Sequence, residues 1–183
     1  MRIHCSRRDL LQTTSAVATG LVVGAGSATA IQSETVAAVV SAGNRAIYAV
    51  DPDGNSLWTF SDAEGIVFTG PTVVDGRAYV GDAGGRLFAI DVSDGSKEWA
   101  FDEPDDEIRS SATVVGGGRV FVGADDGTVY AVDAASGTEA WRFSEPESEI
   151  RGSPAVADGS VYVGEVDGPL YALDASSGAD SQP

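Results

Sequence analysis

The chain has 183 residues, enough for one domain of ordinary size, and is strongly acidic: 28 Asp and Glu against 11 Lys and Arg, a formal net charge of −17. Its single His and single Cys are His4 and Cys5, and its one lysine is Lys97. Beyond residue 5, then, no Cys/His zinc site, c-type haem attachment or His-based nucleophile system can be built, no disulfide can form within the chain, and an acidic chain without a basic patch does not suit nucleic acid.

At the N-terminus, Ser6-Arg7-Arg8-Asp9-Leu10-Leu11 resembles the twin-arginine export motif, with Arg7 and Arg8 as the targeting pair. An uncharged stretch runs from Leu10 to Ser33 and contains Ala28-Thr29-Ala30, small residues of the cleavage-site type. Residues 1–30 are therefore expected to be a signal peptide, and residues 31–183 an extracellular or cell-surface domain. The stretch is rich in Ala, Gly, Ser and Thr, too weakly apolar for a stable span, so a retained membrane anchor is not expected.

Cleavage after Ala30 would leave 27 acidic and 8 basic residues, a net charge of −19. The excess is spread over every repeat of the remaining chain. It fits a salt-adapted surface of halophilic style, or a surface that binds cations or a basic partner. Such a charge disfavours the compact state through self-repulsion, and at molar salt the screening length falls to about 3 Å. Folding is thus expected to weaken at low ionic strength; full native circular dichroism in dilute buffer counts against this.

A repeat governs the rest of the chain. Gly81-Asp82-Ala83-Gly84-Gly85-Arg86-Leu87-Phe88-Ala89-Ile90-Asp91 returns as Gly123 to Asp133 and as Gly164 to Asp174, with a looser copy at Ala46 to Asp51. Asp51, Asp91, Asp133 and Asp174 mark the beat, and Trp58, Trp99 and Trp141 keep it. A period of about 41 residues signals repeat architecture. The copies cover approximately 36–60, 69–101, 111–143 and 152–178.

Each copy parses into short strands. In the second, Pro71–Val74, Ala78–Val80, Leu87–Ile90 and Glu98–Phe101 are separated by Asp75-Gly76, Gly84-Gly85 and Asp94-Gly95, all turn chemistry. Alternate residues of a strand face opposite ways, so Leu87 and Ala89 share one face and Phe88 and Ile90 the other. Both faces are apolar. A sheet covered on both sides by like sheets is a β-propeller blade, whereas an ordinary sandwich exposes one polar face.

The unit Ala-x-Asp-x-x-x-Gly-x-x-x-Trp stands in full at Ala89–Trp99 and Ala131–Trp141, and one residue shorter at Ala49–Trp58. It resembles the repeat of the pyrroloquinoline-quinone-like propellers, the superfamily of quinoprotein dehydrogenases and outer-membrane assembly-factor propellers. Glu149-Ile150-Arg151-Gly152-Ser153-Pro154-Ala155-Val156 is also similar to that family's opening strand. The resemblance implies an all-β, quinoprotein-like propeller of about four blades, in which Trp58, Trp99 and Trp141 dock each blade on its neighbour. It also implies pyrroloquinoline quinone and calcium as cofactors of the family's enzymes. Their calcium ligands, base aspartate and vicinal cysteine pair have no residue-by-residue match here, so no cofactor and no catalytic residue is assigned. An exported, non-catalytic interaction or scaffold module is the function expected; a fragment or half-ring of a quinone-dependent oxidoreductase is the alternative.

In a propeller, the loops Asp102–Glu107 and Glu145–Glu149 share a rim with Asp82, Asp125, Asp126, Glu165 and Asp167, and Arg109 and Arg151 recur at its inner edge. This rim is expected to be a solvated acidic face, with a calcium or basic-peptide site as the alternative. Asp51-Pro52-Asp53-Gly54-Asn55 lacks the downstream Glu of an EF-hand loop and is read as a hairpin turn. The strand count is three, four, four and three, and a fourth Trp falls due where Gln182 and Pro183 stand. Family rings usually close with seven or eight blades. A shortened gene product, half of a dimeric ring and a closed four-bladed ring all stay open, and exposed blade faces favour self-association.

Overall fold

The structure is a computed structural model that describes residues 35–116 and 118–181. Arg7, Arg8, the rest of the expected signal peptide and positions 182 and 183 lie outside the described residues. Among the described residues no helix is long and apolar enough to cross a membrane.

Four antiparallel sheets follow one another along the chain. Blade 1 holds β1 (Ala38–Ser41), β2 (Ile47–Val50) and β3 (Ser56–Phe60). Blade 2 holds β4 (Thr72–Val74), β5 (Arg77–Gly81), β6 (Leu87–Asp91) and β7 (Lys97–Phe101). Blade 3 holds β8 (Thr113–Val115), β9 (Arg119–Gly123), β10 (Val129–Asp133) and β11 (Glu139–Phe143). Blade 4 holds β12 (Ala155–Ala157), β13 (Ser160–Gly164) and β14 (Leu170–Asp174). Every sheet is a meander in chain order, and the described strands number three, four, four and three, as the repeat implied. Among the described residues, blade 1 shows no counterpart of the repeat's first strand, and of the fourth strand blade 4 shows the bridge between Leu173 and Asp180.

The strands form where apolar alternation is bounded by tight turns. The hairpin from the third to the fourth strand is built on the recurring aspartate. Asp91 accepts from the Ser93 N–H at 2.7 Å and Asp133 from the Ser136 N–H at 2.9 Å. Asp174 does the same with Ser176 and Ser177, and Asp51 with Asp53 and Asn55. These bonds let a carboxylate stand in for a turn of backbone. In blade 1 the turn closes from the Gly54 N–H to the Asp51 carbonyl, and in blades 2 and 3 one residue later, from Gly95 to Asp91 and Gly137 to Asp133. That difference is the residue missing from the first copy. A bulge follows in each hairpin, between Ala49 and Val50, Ala89 and Ile90, and Ala131 and Val132.

The turn carboxylates Asp51, Asp133 and Asp174 are held below the usual range by these hydrogen bonds, led by the Asn55 side chain, the Ser136 N–H and the Ser176 hydroxyl respectively. A depressed folded-state pKa means stability that is present above the unfolded value and lost as pH falls through the folded one. At molar salt, where repulsion is screened, Trp fluorescence is expected to stay native from pH 7 to about pH 4 and to be lost only below it. An unfolding transition centred near pH 6 contradicts this.

Both faces of the inner blades are buried. Leu87, Ala89 and Ile90 are fully inaccessible and Phe88 nearly so, and β10 matches them. Tyr79, Leu87 and Ala89 pack with Val120, Val122, Tyr130 and Val132 of blade 3. Val129 and Ala131 pack in turn with Val161, Val163 and Leu173 of blade 4. Rings meet across these seams: Phe60 on Phe88, Phe101 on Tyr130 and Phe143 on Tyr171, all edge-on with centroids 5.2–5.5 Å apart. The first strands β4, β8 and β12 lie side by side. Thr72 Oγ1 donates to the Ala112 carbonyl at 2.7 Å and Thr113 Oγ1 to the Pro154 carbonyl at 2.6 Å. These are the innermost strands of a propeller arc.

Candidate functional site

The three tryptophans sit at equivalent places between blades. Trp58, Trp99 and Trp141 donate Nε1–H to the carbonyls of Val92, Ala134 and Ala175, each in the last hairpin of the following blade, at 2.9–3.1 Å. Trp99 and Trp141 are buried and Trp58 half-buried. Each ring lies on the glycine of that hairpin. At Gly137, φ is +72° and an added Cβ would stand 2.6 Å from Trp99 Cδ2, so both conformation and space require glycine; Gly95 and Gly178 sit under Trp58 and Trp141 in the same way.

The acidic rim is where loops of neighbouring blades meet. The segment Ile66-Val67-Phe68 after blade 1 recurs as Glu107-Ile108-Arg109 and Glu149-Ile150-Arg151. Its middle residue is fully buried each time. Its backbone is clamped from two sides. The N–H of Val67, Ile108 and Ile150 donates to Asn44, Asp82 and Ala124, in the turn of its own blade. The carbonyl of Ile66, Glu107 and Glu149 accepts from Ala83, Asp125 and Val166, in the turn of the next blade. The third residue is thereby held at the inner edge of the rim: Phe68, Arg109 and Arg151 occupy equivalent positions on successive blades.

These side chains form a ledge. The Arg109 guanidinium lies over the Phe68 ring, 4.9 Å from its centroid. Arg109 Nε is 3.0 Å and Arg151 Nη2 3.2 Å from Asp125 Oδ2, so two arginines share one carboxylate, whose side chain is 7 % exposed. Arg109 also pairs with Glu107, and Arg151 with Glu149. Glu149 is held below the usual carboxylate range by its own backbone N–H first, then the Ser148 hydroxyl and the Arg151 charge. Phe68 and Ile66 remain 49 % and 41 % exposed.

Several rim acids have structural partners. Asp82, completely buried, accepts from the N–H groups of Glu64 and Gly65 in the preceding loop and of Gly84 and Arg86 in its own turn, at 2.9–3.0 Å. Asp126 accepts from the Asp105 N–H at 3.1 Å and Glu165 from the Glu147 N–H at 2.8 Å, each reaching to the loop of the blade before. They also take the hydroxyls of Tyr130 and Tyr171. Burial, and then the bond to Asp126, push the Tyr130 phenol well above its ordinary range. Exposed ion pairs cross the same seams: Arg86 with Glu64, Lys97 with Asp62 and Arg142 with Glu103.

Calcium takes six to eight oxygens converging on one point. Here the inner carboxylates turn toward N–H groups, hydroxyls and guanidiniums. Among the described residues no group of three or more His, Cys, Asp or Glu is arranged to hold a metal ion. The rim therefore does not fit the calcium that a quinone centre of this superfamily requires. Asp51 spends its acceptors within its own hairpin. On the other rim, a shallow groove of about 250 Å³ is lined by Val115, Gly118, Arg119, Phe121, Ala175 and Ser176, with Arg119 as its ionisable group. The grouping of Phe68 with Arg109 was not read from the sequence. Its signal was the repeat register, which sets Phe68 in the arginine position.

A family model described as outer membrane protein assembly factor BamB matches residues 6–115 and 105–181. No protein among the curated sequences matches the chain. Among solved structures it is similar to BamB from Moraxella catarrhalis, with 26 % identity and a TM-score of 0.66 over 78 % of this chain and 44 % of that one. It is also similar to the quinohemoprotein alcohol dehydrogenase ADHIIG from Pseudomonas putida HK5, with 23 % identity and a TM-score of 0.68 over 79 % of this chain and 32 % of that one. The computationally designed Ika8 protein shares the fold at 20 % identity and a TM-score of 0.71, over 79 % of this chain and 44 % of that one. The chain thus spans less than half the length of each of these propellers. With its strand order, its repeat and the match along nearly all its length, the chain belongs to the BamB family of pyrroloquinoline-quinone-like β-propeller repeats.

Proposed function

We propose that this chain is an exported, non-catalytic interaction module that binds a protein partner through the inner ledge of its acidic rim. One observation carries the reading: Ile66 and Phe68 stay open to solvent beside Arg109 and Arg151, on loops clamped from both sides. Aromatic and arginine side chains dominate the energetics of protein interfaces, and a rigid support lowers the cost of ordering them. Export rests on the twin-arginine motif at Arg7 and Arg8. The family's association with an outer-membrane assembly factor supports the same compartment.

Site-specific photo-crosslinking tests this. A benzoylphenylalanine at position 68 is expected to trap one discrete adduct in the native host, while the same probe at Asp53, in an exposed hairpin, traps none. Equal labelling from both positions overturns the ledge as the binding surface. Fragmentary quinone-dependent oxidoreductase activity is the alternative, resting on fold likeness. Titrating the purified chain with pyrroloquinoline quinone and calcium separates the two: a saturable absorbance change with dye reduction supports the enzyme, and an unchanged spectrum supports the module.

A further inference from the structure

Each internal seam of the arc joins a trailing face of one blade to a leading face of the next. The trailing face carries Tyr79, Leu87 and Ala89 in blade 2 and Phe121, Val129 and Ala131 in blade 3, all buried. In blade 4 the same register places Tyr162, Leu170 and Ala172, through the pairings of Tyr162 with Ala172 and Gly164 with Leu170. Here the face is bare: Tyr162 is 46 % and Leu170 72 % exposed, against 2 % and 0 % for Tyr79 and Leu87.

The matching leading face is at the other end of the arc. Val80 and Phe88 pair across β5 and β6 and fill the seam with blade 1; Val122 and Tyr130 do so in the seam with blade 2. Blade 1 places Val40 and Tyr48 in that register. Val40 is 39 % exposed, where Val80 and Val122 are 1 % and 0 %.

We propose that two copies of this chain associate head to tail, the trailing face of blade 4 on each copy seating on the leading face of blade 1 of the other. The chain makes this contact three times within itself, so the chemistry of the fourth is set by repetition: Tyr162 and Leu170 offer what Tyr79 and Leu87 offer, and Val40 and Tyr48 what Val80 and Phe88 offer. Two-fold symmetry turns one such contact into two and closes the pair. The strongly negative charge opposes association at low ionic strength, so molar salt is the condition under which it forms.

Light scattering behind size exclusion, on the full chain in molar salt, tests this. The wild type is expected to be a dimer. Leu170→Lys and Val40→Glu alter opposite faces at exposed positions, and each alone is expected to give a monomer with native circular dichroism. Mixed in equal amounts, they are expected to dimerise again, because the mixed pair has one native seam and one Lys–Glu seam. A monomeric wild type across the micromolar range overturns the proposal. So does a Val40→Glu variant that stays dimeric, which indicates a contact of blade 4 on blade 4. A concentration-dependent ladder of larger species overturns the closed pair.

Discussion

Trp99→Ala is expected to lower the unfolding free energy by about 3–5 kcal/mol, measured by urea denaturation at molar salt. Trp99 is 8 % exposed, its ring packs on Gly137 and near Tyr79, and its N–H holds the Ala134 carbonyl at 3.1 Å. Truncation opens a void between blades 2 and 3 and removes the shorter of the two hydrogen bonds to that carbonyl, leaving it only the Tyr79 hydroxyl at 3.5 Å. Trp99→Phe keeps most of the apolar contact and loses the N–H, so it is expected to cost less, by about the worth of one hydrogen bond plus partial repacking. Trp58→Ala is expected to cost less than Trp99→Ala, since Trp58 is only half-buried. Gly137→Ala supplies an independent arm. Its Cβ collides with the Trp99 ring. The substitution is therefore expected to be damaging in the wild type and milder in Trp99→Ala, where only the backbone strain remains. Equal costs in both backgrounds would show that the ring and the hairpin are not coupled.

Asp82→Ala is expected to destabilise by about 2–4 kcal/mol, from N–H donors left unsatisfied where water reaches poorly. The carboxylate is fully buried and serves four backbone N–H groups from two blades. Asp82→Asn keeps the volume but turns an amide N–H₂ toward two donors, and is expected to recover little of the loss. This separates acceptor capacity from packing. The loop from Glu64 to Phe68 hangs on Asp82 and on the Ala83–Ile66 bond. Hydrogen exchange at Glu64 and Gly65 is therefore expected to rise in both variants, before any change at β10. Protection that persists at those two amides would place the anchor of the loop elsewhere.

Strand number and blade type were legible because they rest on local signals. Leu87-Phe88-Ala89-Ile90 is apolar on both faces, and its neighbours are turn dipeptides; no longer-range information is needed to read a strand buried on two sides. The recurring aspartate and glycine of Asp91 to Gly95 and Asp133 to Gly137 are equally local, since the carboxylate bonds two or three residues ahead. Strand ends differ by a residue or so from those expected: β5 spans Arg77–Gly81 rather than Ala78–Val80, and β4 begins at Thr72 rather than Pro71. Pro71 has no N–H to give a ladder.

The acid residues were the part that sequence could only group. Asp82, Asp125, Asp126 and Glu165 look alike in the chain, as members of one anionic rim. Their environments diverge because each meets a different part of the loops that converge at the seam: backbone amides, guanidiniums, or an amide beside a tyrosine. Asp82 collects amides, Asp125 two guanidiniums, and Asp126 and Glu165 an amide and a phenol. By itself, then, the sequence determined the blade, its count of strands and the spacing of Trp58, Trp99 and Trp141, since period-2 alternation and turn chemistry act within a few residues. Only the tertiary structure decided that Phe68 meets Arg109, that Asp125 is shared, and that Leu170 and Val40 are bare. Those facts depend on how one blade stacks on the next, across separations of about 40 residues that no local pattern encodes.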